Sequence, residues 1–132
     1  MKCLFLYTRY SKGVYDYSKK LIDNLSTYIN IQPLLIPNNI ILDKYSQDKV
    51  KRYYTDLINS NKCDTVHIQY DSAMFRCNDC EYMELENFGW FLKELHDRDK
   101  HVIVTFHGIF NFKNSSSTGW MLNTQLKLLH RC

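Results

Sequence analysis

The sequence predicts an α/β protein with a doubly wound, mostly parallel sheet and helices on both faces of that sheet. Short apolar runs alternate with longer segments whose apolar residues recur at helical spacing, which is the pattern of successive β-α-β units. Two of the short runs, "CLFLY" and "VIVTF", are apolar at nearly every position. Strands of this kind are typical of a parallel sheet that is covered by helices on both sides.

The first half of the chain opens with a predicted strand at residues 2–7, followed by a polar loop. Apolar residues then recur every three or four positions, so we predict a helix from about Val14 to Ile29. A second strand is predicted at residues 31–36. Because Pro33 cannot donate a backbone hydrogen bond, it favours a strand start or an irregular strand over a central one. The run at residues 40–42 fits a further short strand.

The second half of the chain repeats this alternation. Ser46 is a suitable N-cap for the helix that follows it. A polar segment at residues 71–82 is predicted to be a long loop. The remaining predicted elements are a helix at residues 50–58, a strand at 65–70, a helix at 85–95, a strand at 101–106 and a last helix carrying the leucines at 122, 126 and 129.

Size and charge narrow the class of protein. A chain of 132 residues is long enough for one domain, so residues 1–132 are expected to form a single domain. The 17 basic and 14 acidic residues give a net charge of +3, which is too mild to predict a nucleic-acid partner. We find neither a signal peptide nor an apolar run of the roughly 18 residues that a membrane span needs. A soluble, cytoplasmic protein is expected, with peripheral contact to a membrane left open.

The carboxyl ends of the predicted strands carry the candidate binding residues. In a parallel sheet these ends share one edge. Ligands bind at that edge, beside the point where the order of the strands reverses. We therefore expect residues 8–13, 69–71 and 106–109 to lie together. His107 can donate or accept a hydrogen bond near neutral pH, and Gly108 leaves space for a ligand beside the backbone. From position alone, a histidine that only caps its own loop fits equally well.

Other candidates are less specific. Gly13 precedes a predicted helix N-terminus, where exposed amides attract anions such as phosphates, although a plain turn fits as well. His67 is interpreted as a hydrogen-bonded core residue. Gln69 and Asp71 lie nearer the edge of the sheet and are suited to hydrogen-bonding sugar hydroxyls, with a structural role the open alternative.

The five cysteines give no defined metal site. Cys77 and Cys80 form one C-x-x-C pair, but a zinc site would need two further ligands at suitable spacing. A redox pair would commonly lie at a strand-to-helix junction, whereas this pair lies in a predicted loop. We interpret the pair as coincidental, predict no metal site, and keep zinc or redox chemistry as the alternative.

Three segments resemble a known family. "KCLFLYTRYSKGVYDYSKKLIDNL", "CDTVHIQYDSAMF" and "HVIVTFHGIF" occur in that order and at suitable spacing. Together they resemble the Rossmann-like N-terminal domain of GT-B glycosyltransferases of the retaining family 4 type, over nearly the whole chain. The pair "HIQY" and "TFHG" is the most specific part.

The resemblance implies roles for the candidate residues. It places His107 as the catalytic residue, near the transferred sugar of a nucleotide-sugar donor. It implies that donor or acceptor is bound by Lys12, Gly13, Gln69, Tyr70, Asp71 and Gly108, with residues 69–71 on the acceptor side. It implies no cofactor: the nucleotide-sugar is a substrate, and the acceptor is a glycan or a lipid-linked molecule. Transfer would depend on positioning and electrostatics, without a nucleophile of the triad kind.

The sequence departs from the family pattern in two respects. The double glycine of the first loop is here Lys12-Gly13, and the C-terminal domain that holds the nucleotide diphosphate is not present in residues 1–132. We therefore expect an incomplete GT-B N-terminal domain: the acceptor-side half of a sugar transferase, inactive alone or completed by a partner chain. The alternative is a noncatalytic α/β binding or interaction module with the same fold.

Overall fold

The protein is described here by a computed structural model, which defines residues 1–37, 44–78 and 83–107. Within these ranges four strands and three helices alternate, and a single turn of 3-10 helix, Ser72–Phe75, follows the third strand. The elements are β1 (Lys2–Tyr7), α1 (Lys12–Leu25), β2 (Asn30–Leu35), α2 (Gln47–Ser60), β3 (Thr65–Tyr70), α3 (Glu84–Asp97) and β4 (His101–Phe106). The predicted strand at residues 40–42 and the predicted helix with leucines at 122, 126 and 129 lie outside the described residues.

The four strands form one parallel sheet in the order β2-β1-β3-β4. The chain first winds outward from β1 to β2, then crosses back over β1 to β3 and continues to β4. The winding direction therefore reverses between β1 and β3, which is the point where such sheets bind ligands. This topology confirms the predicted Rossmann-like α/β fold.

The two faces of the sheet are packed by different helices. Leu4 and Leu6 of β1 join a large apolar cluster with residues of α2 and α3. The alternate residues Phe5 and Tyr7 join a smaller cluster with Ile22 of α1. Helices thus cover both faces of β1, as its unbroken apolar sequence predicts.

Most predicted boundaries agree with the structure, and α1 is the main exception. This helix ends at Leu25 instead of continuing to Ile29. The Ser26 hydroxyl donates to the Ile22 carbonyl at 2.6 Å, and a turn leads directly into β2. Ser46 caps α2 as predicted, since its hydroxyl accepts a hydrogen bond from the Lys49 backbone N–H at 3.3 Å.

Pro33 lies in β2, at one edge of the described sheet, where its missing N–H is tolerated.

Within the described ranges, the helices are all too short or too polar to cross a membrane.

Candidate functional site

A crevice lies at the carboxyl edge of the sheet, beside the point where the winding direction reverses. Its volume is about 290 Å³, and its lining residues follow β1, β3 and β4. They are Tyr10, Ser11, Val14, Tyr70, Asp71, Ser72, Arg76 and His107. The strand ends that we predicted to share one edge therefore do so, as far as residue 107.

His107 forms the part of the crevice that follows β4. Its ring is exposed on one side, and its Nε2 lies 2.5 Å from Oε1 of Gln69. The ring also meets the ring of Tyr17, from α1, edge to face at a centroid distance of 5.2 Å. Partial burial lowers the pKa of His107, while the charge of Asp71 acts in the opposite direction. A neutral imidazole is therefore favoured at neutral pH.

Gln69 connects His107 to the interior of the sheet. Its side chain is fully buried, and its Nε2 lies 3.0 Å from Nε2 of His67. The same nitrogen of His67 lies 3.0 Å from the hydroxyl of Thr105 on the neighbouring strand. His67 is thus a buried, hydrogen-bonded residue, in agreement with its core interpretation. Gln69 reaches the crevice through His107, and direct sugar binding by Gln69 stays a prediction.

The segment after β3 forms a second wall of the crevice. The carboxylate of Asp71 accepts a hydrogen bond from the Ala73 backbone N–H at 3.0 Å and so caps the 3-10 helix. Arg76 lies over the ring of Tyr10, 5.5 Å from its centroid, and thereby joins this wall to the loop after β1. The crevice therefore presents a carboxylate, a guanidinium group and an aromatic ring to a ligand.

Tyr70 belongs to both the crevice and the core. The ring packs against Phe88 and Phe106, with centroids at 4.5 and 5.2 Å. Its hydroxyl has no hydrogen-bond partner among the described residues. Burial raises the pKa of Tyr70 far above its ordinary value, so the hydroxyl stays protonated at neutral pH.

Lys12 and Gly13 lie in the first turn of α1 and are exposed. Gly13 is therefore the second residue of the helix and does not precede it. Ser11 and Val14, on either side of this pair, line the crevice. Contact of Lys12 and Gly13 with donor or acceptor stays a prediction, and Gly108 lies outside the described residues.

Five lining residues were not among the predicted site residues: Tyr10, Ser11, Val14, Ser72 and Arg76. Tyr10 and Ser11 lie within the segment 8–13 that was expected at this edge, whereas Val14 and Ser72 lie one position beyond the expected segments, so extending each segment by one residue would have found them. Arg76 carries no such signal, because only the 3-10 helix brings it back to the crevice.

Cys77 is buried, and Nδ2 of Asn87 lies 3.7 Å from its sulfur. Cys80 lies outside the described residues. Among the residues that are described, histidines, cysteines and carboxylates form no group of three that could hold a metal ion.

The free energy of unfolding should fall as the pH drops below about 6.5, because the unfolded chain binds a proton at His67 more readily than the folded chain does. Burial lowers the pKa of His67 from its ordinary value of 6.5. Below that value the unfolded state binds more protons than the folded state, so stability that is complete above pH 6.5 is lost on acidification. Urea denaturation at several pH values measures this slope. His67→Gln should flatten this slope, and part of the slope should remain because burial also lowers the pKa of His107. A slope that His67→Gln leaves unchanged would contradict the assignment.

Gly13→Ala should stabilise the fold by about 0.5–1 kcal/mol, since alanine restricts the unfolded chain and suits a helix better. A Cβ at Gly13 would meet no atom within 4 Å. Urea denaturation tests this, with Lys12→Ala in the same turn as the control. A loss of stability in Gly13→Ala would show that the position is crowded after all.

No known protein family, no curated protein and no solved structure matches this chain.

Proposed function

We propose that this chain is the acceptor-side half of an enzyme that transfers a sugar from a nucleotide-sugar donor. The observation that carries the proposal is the crevice at the reversal point of the sheet. There the imidazole of His107, the carboxylate of Asp71 and the start of α1 border one cavity. This is the edge at which open α/β sheets bind their ligands.

The chemistry of the lining residues suits a sugar ring. Sugar hydroxyls both donate and accept hydrogen bonds, and the crevice offers a carboxylate, an imidazole, a guanidinium group and two serines. The aromatic ring of Tyr10 supplies an apolar surface for the C–H face of a sugar. Pockets with a few polar groups among apolar ones are typical of small-molecule sites.

The size of the crevice favours half of a site. Pockets for complete small-molecule ligands usually measure roughly 300–1,000 Å³. At about 290 Å³ the crevice suits one sugar ring better than a whole nucleotide-sugar. The nucleotide would then be held by groups outside the described residues, on a further domain or on a partner chain. Acceptors in this assembly would be glycans or lipid-linked molecules.

Within this proposal His107 hydrogen-bonds a hydroxyl of the bound sugar and holds it for transfer. Positioning of this kind lowers the barrier without a covalent intermediate, since it fixes the reacting groups in a productive geometry. Arg76 lines the same crevice, and its guanidinium N–H groups can donate hydrogen bonds to the oxygens of sugar hydroxyls.

Sugar binding is the first test. Saturation-transfer NMR of the 132-residue chain with a panel of hexoses should show binding, and His107→Ala should weaken it at least tenfold. His101→Ala is the matched control, because His101 is an exposed histidine at the opposite end of the same strand. Absence of hexose binding, or equal binding by both variants, would overturn the proposal.

Sugar transfer is the second test. The tagged chain is isolated with its bound proteins from the cells that express it and is assayed with radiolabelled nucleotide-sugars. Transfer that is lost in His107→Ala supports the enzyme. Hexose binding without transfer in this preparation would contradict the enzyme and favour the noncatalytic module.

A further inference from the structure

A chain of hydrogen-bonding side chains runs beneath the crevice on the α1 face of the sheet. It connects Thr105, His67, Gln69 and His107 through contacts of 3.0, 3.0 and 2.5 Å. Gln69 is fully buried and His67 nearly so. The proposed function uses only His107, which is the exposed member of this group of side chains.

The contact between Gln69 and His67 fixes where the proton of His67 lies. The Gln69 atom that faces His67 is the amide nitrogen, which can only donate. With the amide in this orientation Nε2 of His67 accepts, the Thr105 hydroxyl donates to the same nitrogen, and the proton of the neutral ring lies on Nδ1. A charged ring is disfavoured at this position, because His67 is buried and lies against Phe5 with centroids 4.6 Å apart.

The other end of Gln69 then fixes His107. With its nitrogen turned toward His67, the amide presents Oε1 to His107, and a carbonyl oxygen can only accept. Nε2 of His107 must therefore carry a hydrogen. In the neutral ring this leaves the lone pair on Nδ1, so that nitrogen can only accept a hydrogen bond.

We propose that Gln69 and His67 are positioning residues that hold neutral His107 in the Nε2–H tautomer, so that His107 accepts a hydrogen bond from a hydroxyl in the crevice. This inference rests on the proposed function, since the hydroxyl would belong to the bound sugar. Asp71 lies in the same crevice and its carboxylate also accepts, so this part of the site favours a hydroxyl over a phosphate.

The tautomers can be measured in the protein without any ligand. Multiple-bond ¹H–¹⁵N spectra of the ¹⁵N-histidine-labelled chain, recorded above the histidine titrations, should show His67 as Nδ1–H and His107 as Nε2–H. The His67 signal is the more discriminating one, because free imidazole side chains already favour Nε2–H. A Gln69 amide turned the other way would give Nε2–H on His67 and Nδ1–H on His107, and that result would overturn the inference.

Substitution of Gln69 tests the connection directly. In Gln69→Leu, His67 should lose its single Nδ1–H tautomer and shift toward the Nε2–H form that free imidazole favours, while Gln32→Leu, on β2, should leave His67 unchanged. Exposed His96 and His101 serve as internal references in the same spectra. An unchanged Nδ1–H tautomer of His67 in Gln69→Leu would overturn the positioning role.

Gln69→Glu is the second variant, in case leucine prevents folding. A carboxylate at this position accepts from both rings, so His67 should move its proton to Nε2. The pKa of His107 should rise by about 1 unit or more, as an opposite charge at this distance predicts. Asp71 and Tyr17 also face His107 and are unchanged in this variant. An unchanged pKa of His107 would contradict the inference, whereas failed hexose binding with the expected tautomers would contradict only the proposed function.

Discussion

Replacing Tyr54 with alanine should destabilise the fold by about 3–5 kcal/mol, the usual cost of removing a buried aromatic ring. Tyr54 is fully buried in α2. Its ring stacks on Phe75 with centroids 4.6 Å apart and contacts Phe91 at 4.9 Å. Its hydroxyl donates to the Met74 carbonyl at 2.5 Å. Urea denaturation followed by circular dichroism measures the loss.

Two further variants separate packing from hydrogen bonding at Tyr54. Tyr54→Phe keeps the ring and removes only the bond to Met74, so it should cost about 1 kcal/mol. Tyr28→Ala removes a tyrosine that is 83% exposed and should change stability by less than about 0.5 kcal/mol. A Tyr54→Ala variant as stable as Tyr28→Ala would contradict the central packing role of Tyr54.

Asn87→Leu should have the second largest effect, a loss of about 2–3 kcal/mol, because the hydrogen bonds of a buried side chain to Phe75, Gln47 and the Cys77 sulfur disappear. The amide of Asn87 donates to the Phe75 carbonyl at 2.8 Å and accepts from Nε2 of Gln47 at 3.0 Å. Leucine keeps the branching at Cγ but is larger and carries no polar atom, so the loss combines the missing hydrogen bonds with overpacking. The same denaturation experiment measures it.

The Asn87 prediction also concerns the crevice. The Phe75 carbonyl belongs to the 3-10 helix, which lies between Asp71 and Arg76. Asn87→Leu should therefore weaken hexose binding as well as stability. The control is Asn24→Leu, at an exposed position of α1, which should change neither property. Equal effects of Asn87→Leu and Asn24→Leu would show that Asn87 does not hold the 3-10 helix in place.

The sequence predicted β1, β3 and β4 at their observed positions for a physical reason. Residues 2–7, 65–70 and 101–106 are short runs with clear polar boundaries, and their length and boundaries identify them as strands. Parallel strands then bring residues 8–13, 69–71 and 107 to one edge without any further information. The location of the candidate site thus followed from the order of strands and helices.

The 3-10 helix and the end of α1 could not be predicted from the sequence, because they depend on single contacts. The 3-10 helix Ser72–Phe75 has one turn and therefore no periodicity to detect. The end of α1 at Leu25 depends on the turn before β2, since apolar residues continue to Ile29.

The contact between Gln69 and His107 could not be predicted from the sequence for a different reason. It joins residues 38 positions apart and requires the register of β3 against β4, in which Gln69 pairs with Thr105. No local pattern encodes that register. The three side chains His67, Gln69 and His107 could therefore be predicted one by one, but not as a connected group.

The unequal packing of the two sheet faces has a consequence for how such a domain can evolve. The face under α2 and α3 contains the large aromatic cluster, whereas the crevice histidine and its buried partners belong to the α1 side. Substitutions on the α1 side of the crevice could therefore alter ligand preference while the aromatic layer keeps the chain folded. A lineage carrying this domain would have freedom to change its specificity in small steps, with each intermediate still able to fold.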